Sequence, residues 1–231
     1  MTFPKALPHG PIEEIFDNVF FVTGGFSPGT GVRITRNMTV VRRGEELTVL
    51  NSVRLNPEGE EQLAKLGKVK HVVRLGAFHG YDDPYYADRY GVPVWGPPRT
   101  KHNPALRETR EFGANDNPLS DSSVFHFEKG KEPEAAVILA QDGGILITCD
   151  SYQNWTTFDG SSFIGKIVLG MMGFGPTHVG GPWTRAMGPA VREDLERLRK
   201  EPFRHLVPAH GTPLKNTAVE GLGVAIQKRF G

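Results

Sequence analysis

The chain has 231 residues, of which 38% are hydrophobic and 23% charged, the profile of a globular protein long enough to bury a sizeable core. Its 27 Lys+Arg and 26 Asp+Glu leave a net charge of +1, which argues against the clustered positive charge of a nucleic-acid binder. The single cysteine, Cys149, excludes an intrachain disulfide and a Cys-rich zinc site. A reducing cytosol is the default expectation for such a chain. The opening MTFPKALPHG lacks the apolar region of a signal peptide, and no run approaches the ~18 apolar residues of a membrane span. A cytoplasmic protein with no membrane and no nucleic-acid partner is expected. The 28 glycines and 18 prolines, free of repeats, point to a loop-rich fold.

Asn18 to Thr23, Arg33 to Arg42 and Glu46 to Leu55 have strand composition, with Arg43-Gly44-Glu45 as a hairpin turn. Asn56-Pro57-Glu58 opens a helix, with Asn as N-cap, Pro at the first position and acids in the first turn; it stops at Gly67. A strand over Val69 to Leu75 leads into a loop over 76–83. A short helix, Pro84 to Tyr90, is closed by Gly91, and a strand follows over Val92 to Trp95. This alternation is an α/β rhythm. Residues 97–120 read as a long loop. Ser122 to Glu128, Glu134 to Ala140 and Gly144 to Cys149 read as strands, the last two joined by a turn at Gln141-Asp142-Gly143-Gly144. Residues 151–187 are aromatic and Gly-rich without a clean period, and Phe163 to Phe174 reads as a core or pocket-lining stretch. Pro189 to Lys200 is an amphipathic helix with Val191, Leu195 and Leu198 on one face. A strand over Phe203 to Val207 and a terminal helix, roughly Thr217 to Arg229, complete the chain. No linker is visible, so a single domain over 1–231 is expected.

Three segments share one arrangement, in which a strand ends and a potential ligand follows. His79 follows the strand over 69–75, Asp150 ends the strand over 144–149, and His210 follows the strand over 203–207. In α/β folds, side chains at the carboxyl ends of neighbouring strands converge on one edge. Two His and one carboxylate can form a facial metal site with open positions. Asp82 or Asp83, ahead of Pro84, reads as a helix N-cap or as a group that adds a ligand or orients a His. His178 lies on a Gly-rich loop able to cover a pocket. His9, His71, His102, His126 and His205 carry no argument, and Cys149 reads as a buried strand cysteine. Trp155, Phe158, Phe163, Phe174 and Trp183 are candidates for a cavity lining or for core.

The order of these elements resembles the metallo-β-lactamase fold superfamily over about residues 15–215. The resemblance rests on Asn37-Met38-Thr39-Val40-Val41, the strand into the His79 loop, the strand ending Pro93-Val94-Trp95, Gly143-Gly144-Ile145-Leu146-Ile147-Thr148-Cys149-Asp150, and Pro208-Ala209-His210-Gly211-Thr212-Pro213. It implies an α/β fold, a four-layer αββα sandwich of two mixed sheets flanked by helices. It also implies metal-ligand roles for Asp150 and His210, which match the family's late Asp and Gly-His-Gly-like turn.

The departures from the family pattern concern the metal ligands. The family's His-x-His-x-Asp-His is represented by Leu75-Gly76-Ala77-Phe78-His79-Gly80-Tyr81-Asp82-Asp83-Pro84, with one His. In the preferred alignment His79 matches the final His and Phe78 replaces the Asp. In the other, His79 matches the first His, Tyr81 replaces the second, Asp83 matches the Asp and Pro84 replaces the last. The Gly-His-Thr-Pro-Gly segment is matched by Gly130-Lys131-Glu132-Pro133-Glu134, with Lys131 in place of the His, and Asn51 stands where many members carry Asp. In the preferred alignment the ligands of the first metal are gone. His79, Asp150 and His210, with Asp83 beside them, remain for a single Zn, Fe or Mn ion. The resemblance therefore implies an atypical hydrolase of small esters or lactones, in which a metal-activated water attacks a polarised carbonyl and His79, Asp150 and His210 are catalytic. The alternative is a metal-free descendant acting as a binding or interaction module. A small-molecule substrate is expected in the first case, and the oligomeric state is left open.

Overall fold

The computed structural model describes residues 3–29, 31–113, 116–158, 161–171 and 174–231. Residues 114–115 of the expected loop and residues 172–173 of the apolar stretch lie outside the described residues. Backbone contacts cluster into two compact units, Met1–Phe26 with Thr35–Ser120, and Ser27–Ile34 with Asp121–Gly231.

The first unit is built on a seven-stranded sheet in chain order: β1 (Ile12–Phe16), β2 (Val19–Gly29), β3 (Val32–Arg43), β4 (Glu46–Leu50), β5 (Lys68–Val73), β6 (Val94–Gly96) and β7 (Thr109–Glu111). The pairs β1–β2 and β3–β4 are antiparallel, and β4 to β7 run parallel. The β3–β4 hairpin closes from Arg43 to Glu46, with Gly44 at φ 60° supplying the left-handed turn. Helix α1 (Pro57–Leu66) forms as its start signals predict: Asn56 Oδ1 accepts from the Gly59 amide at 2.8 Å and Pro57 occupies the first turn. Helix α2 (Asp83–Tyr90) ends at Gly91 in the left-handed conformation. Leu63 of α1 and Tyr86 of α2 pack with Val40, Leu47, Val49, Val72 and Val94 of the sheet. The strand expected over 46–55 stops at Leu50 because Asn51 turns the chain at φ 52°. Two short strands appear where none was expected: β1, largely open to solvent, and β7 within the loop over 97–120.

The second unit carries a four-stranded sheet, ordered β11 (His205–Pro208), β10 (Ile145–Thr148), β9 (Ala135–Leu139), β8 (Ser122–His126). The pairs β8–β9 and β9–β10 are antiparallel, and β10–β11 is parallel. Strands β9, β10 and β11 are buried along their whole length, which explains their unbroken apolar sequences. Among the described residues, four helices belong to this unit: α3 (Phe163–Met171), α4 (Gly181–Met187), α5 (Val191–Leu198) and α6 (Ala218–Phe230). Trp183 and Met187 of α4, Val191, Leu195 and Leu198 of α5, and Leu222, Ala225 and Ile226 of α6 pack with Ala136, Ile138, Leu146 and Leu206. Helices α3 and α4 lie in the region without periodicity. Gly165, Gly170 and Gly181 interrupt the pattern of apolar residues there, while Pro182 in the first turn is the remaining start signal of α4.

The turn from β9 into β10 makes a specific demand on its glycines. Gly144 has φ 101°, and a Cβ there would lie 2.2 Å from the Pro202 carbonyl oxygen; a Cβ at Gly143, φ 79°, meets nothing nearer than 3.7 Å. Gly143→Ala is expected to cost about 1–2 kcal/mol of backbone strain. Gly144→Ala must also displace backbone, and its loss in a urea melt is expected to be at least twice as large.

Candidate functional site

The site in the second unit begins with strand register. Strands β10 and β11 pair residue for residue, Ile145 with His205 through Thr148 with Pro208. The Ala209 amide donates to the Thr148 carbonyl at 3.0 Å, carrying the alignment past the strand ends. Asp150 and His210 each stand two residues beyond the last matched pair. Their side chains meet: His210 Nε2 lies 3.1 Å from Asp150 Oδ1. On the other side, β9 and β10 pair Val137 with Ile147. Continued three residues, that register sets Glu134 opposite Asp150. One row across three strands thus carries Glu134, Asp150 and His210.

Local bonds hold this row in place. The Gln153 side-chain amide donates to the Asp150 carbonyl at 3.0 Å, and Trp155 Nε1 donates to Gln153 Oε1 at 2.7 Å. The Trp155 ring stacks on His210 with centroids 6.0 Å apart and an interplanar angle of 12°. The Thr212 amide donates to the Asn154 carbonyl at 2.7 Å, and Asn154 Nδ2 donates to the Thr212 carbonyl at 3.0 Å. Gly211 permits this approach: at φ 87°, a Cβ there would stand 2.0 Å from the Asn154 oxygen. Gln153 and His178 exchange backbone hydrogen bonds of 2.8 Å, tying the segment to the next loop.

Glu134 is buried, and its carboxylate accepts from the Ser151 amide at 2.8 Å and from Trp183 Nε1 at 2.6 Å. Burial, followed by the nearby charge of Asp150, pushes its pKa well above the usual carboxyl range; the bonds from Ser151 and Trp183 act the other way. Cys149 is buried, with Sγ 3.5 Å from Asp150 Oδ2. The sequence singled out neither Glu134 nor Gln153, and it offered Trp155 only as a cavity-lining or core aromatic. The available signal for Glu134 was a lone acid opening an otherwise apolar strand.

The pair fits a cation on chemical and metric grounds. With Asp150 ionised, the 3.1 Å contact requires a proton on His210 Nε2. A divalent ion could take that proton's place. Ligand atoms ~2.0–2.2 Å from a tetrahedral ion stand roughly 3.3 Å apart, a few tenths of an ångström from the distance observed.

The other expected site residues belong to the first unit. His79 is half-buried in the loop after β5, its amide donating to the Gly76 carbonyl at 3.3 Å. Asp83 opens α2, is buried, and accepts from Ser52 Oγ at 2.6 Å. Burial raises its pKa, opposed first by the Ser52 bond and then by the Arg74 charge. Asp82 occupies the N-cap position without capping through its side chain; it pairs with Arg36 and accepts the Arg54 amide at 2.9 Å. Tyr81 is exposed beneath the Arg36 guanidinium. Lys131 is exposed, with its stem near Gly188. Three of the histidines that carried no argument do structural work. His9 Nε2 accepts the Asn56 amide at 2.9 Å, His71 Nδ1 accepts Trp95 Nε1 at 3.2 Å, and His205 Nδ1 accepts the Asn216 amide at 3.1 Å.

No protein-family model matches the chain, and comparison with curated proteins gives no match. Solved structures do match. DIM-1 metallo-β-lactamase exposed to ceftazidime has a TM-score of 0.65 at 13% identity, over 97% of this chain and 99% of that one. The metallo-β-lactamase FIM-1 from Pseudomonas aeruginosa, in its mono-zinc form, also scores 0.65 at 13% identity, over 97% of each chain. A metallo-β-lactamase from Pontibacter korlensis scores 0.64 at 15% identity, over 94% of this chain and 98% of that one. The chain therefore has the metallo-β-lactamase fold, as the order of its elements implied. Among the described residues, no helix is long and apolar enough to cross a membrane.

One residue beside the site makes stability depend on pH. Burial, then the charges of Arg229 and Lys228, push His178 from 6.5 down to about 4. The unfolded chain therefore takes up this proton first. The contribution of neutral His178 is complete above pH 6.5 and is lost as the pH falls toward 4. In urea melts at pH 7 and pH 4.5, His178→Phe is expected to lose less stability on acidification than the parent chain.

Proposed function

We propose that this chain of the metallo-β-lactamase fold is an atypical metallohydrolase with a reduced, mononuclear site, acting on small esters or lactones. The observation that carries the reading is the Asp150–His210 pair, two ligand-type side chains set face to face at the ends of adjacent parallel strands. His79 is proposed as the third ligand, on the order of ligands along the sequence, which gives a 2-His-1-carboxylate set. Asp83 enters the proposal through the His79 loop: Ser52 holds one oxygen, and the other backs Gly80, next to His79.

Zn, Fe or Mn held there would supply Lewis-acid activation of a carbonyl and of water. The protein's own part is to orient and to exclude solvent. Trp155 covers one face of the His210 ring and Gln153 anchors that indole. The Gln153 amide also fixes the backbone of Asp150. Glu134 is held toward its neutral form, first by burial and then by the neighbouring charge of Asp150.

The second reading, a metal-free binding module, is favoured by the same contact seen differently. A direct hydrogen bond satisfies Asp150 and His210 without an ion.

Elemental analysis of the purified protein, beside His210→Ala, separates the two. The hydrolase reading expects close to one equivalent of Zn, Fe or Mn, lost in the variant while its circular dichroism is unchanged. Chelation should abolish turnover on an ester and lactone panel, and metal should restore it. Two equivalents would overturn the mononuclear site. No uptake from excess Zn²⁺, Fe²⁺ or Mn²⁺ would overturn the hydrolase and leave the binding module.

A further inference from the structure

Helix α3 breaks the rule that a surface helix turns its apolar stripe inward. Its buried residues are Gly165 and Leu169. Ile164, Ile167, Val168 and Met171, at the i, i+3, i+4, i+7 spacing of one helix face, expose 73, 47, 40 and 84% of their surface, and Phe163 beside them exposes 78%.

The orientation is built in. The Ser162 amide donates to the Gly31 carbonyl at 2.9 Å, and Ser162 Oγ accepts the Gly165 amide at 3.0 Å. A Cβ on Gly165 would lie 2.1 Å from the Gly31 oxygen. The glycine face must therefore point inward, and the apolar stripe outward.

We infer that α3 is a dimerisation surface, and that its occupant is α3 of a second copy of this chain. The spacing is what a partner helix reads, and an antiparallel pair about a two-fold axis makes the stripe complementary to itself. With the axis between Ile167 and Val168, Ile167 faces Val168 of the other copy and Ile164 faces Met171. Large side chains carry about 150–200 Å² each, so the five leave roughly 600 Å² on one copy and bury about 1,200 Å² in a pair. That is the top of what a monomer leaves exposed and the lower end of a specific interface, so a micromolar dimer is expected. A lipid surface fits less well. Helices that lie on membranes carry several Lys and Arg along the polar face, whereas Lys166 is the one charged residue of α3.

Sedimentation from about 1 to 200 μM tests this. The parent chain should pass from monomer to dimer across that range. Ile167→Glu/Val168→Glu should stay monomeric with an unchanged urea midpoint, because both side chains are exposed in a single copy. As an independent check, Ile167→Cys should form a disulfide-linked dimer under mild oxidation faster than Phe163→Cys, since Ile167 lies nearest the axis; buried Cys149 contributes none. A parent chain monomeric throughout, a dimer that survives the double glutamate variant, or equal cross-linking rates would each overturn the proposal. Flotation of a monomeric parent chain with phosphatidylcholine vesicles would also overturn it, in favour of a lipid surface.

Discussion

The second unit depends on the in-step parallel pairing of β10 and β11. Two parallel strands with no offset end at one level, so whatever follows each strand at equal distance meets its counterpart. Asp150 and His210 meet for this reason. A slip of β11 by one residue would turn His210 to the opposite face of the sheet from Asp150. Burial along all of β9, β10 and β11 resists such a slip, because every alternative register places the same apolar residues against the wrong neighbours. Past the strand ends, where ladder bonds stop, Gly211 lets the backbone approach Asn154, and side-chain amides take over the holding.

Glu134 shows what this row costs. Two carboxyl groups on adjacent strands, one of them buried, oppose each other's ionisation. Bonds from Ser151 and Trp183 offset part of the penalty. Perturbed carboxyl groups gather at functional sites, although structural networks also produce them. Here the perturbed group stands beside Asp150 in the row, and the charge of Asp150 adds to burial in raising its pKa.

Much of the fold was legible because β4, β9 and β10 are rich in apolar and β-branched residues and α1 and α2 carry conventional start and stop residues. The strand over Glu46 to Leu55 was drawn too long, since composition does not reveal that Asn51 turns left-handed. Helix α3 was not recognised because its apolar stripe faces outward and glycine faces inward, the reverse of the usual pattern. Asp150 and His210 were legible as residues at strand ends. Glu134 was not, because its relation to Asp150 appears only once the β9–β10 register is known. The two are equally far from the turn that joins their strands, but the exact centre of that turn is set by a short 3-10 segment, Gln141–Gly143. His79 and Asp83 were proposed from residue type and order alone; the structure puts the first in the loop after β5 and the second at the start of α2.

The stacking of Trp155 on His210 gives the protein an optical consequence. Trp155 is 2% exposed and held by Gln153, so its environment changes little with the surrounding solvent. Whatever displaces the His210 ring must disturb the packing of this indole, so the emission that Trp155 adds to that of Trp95 and Trp183, read as the difference between the parent chain and Trp155→Phe, follows the position of His210.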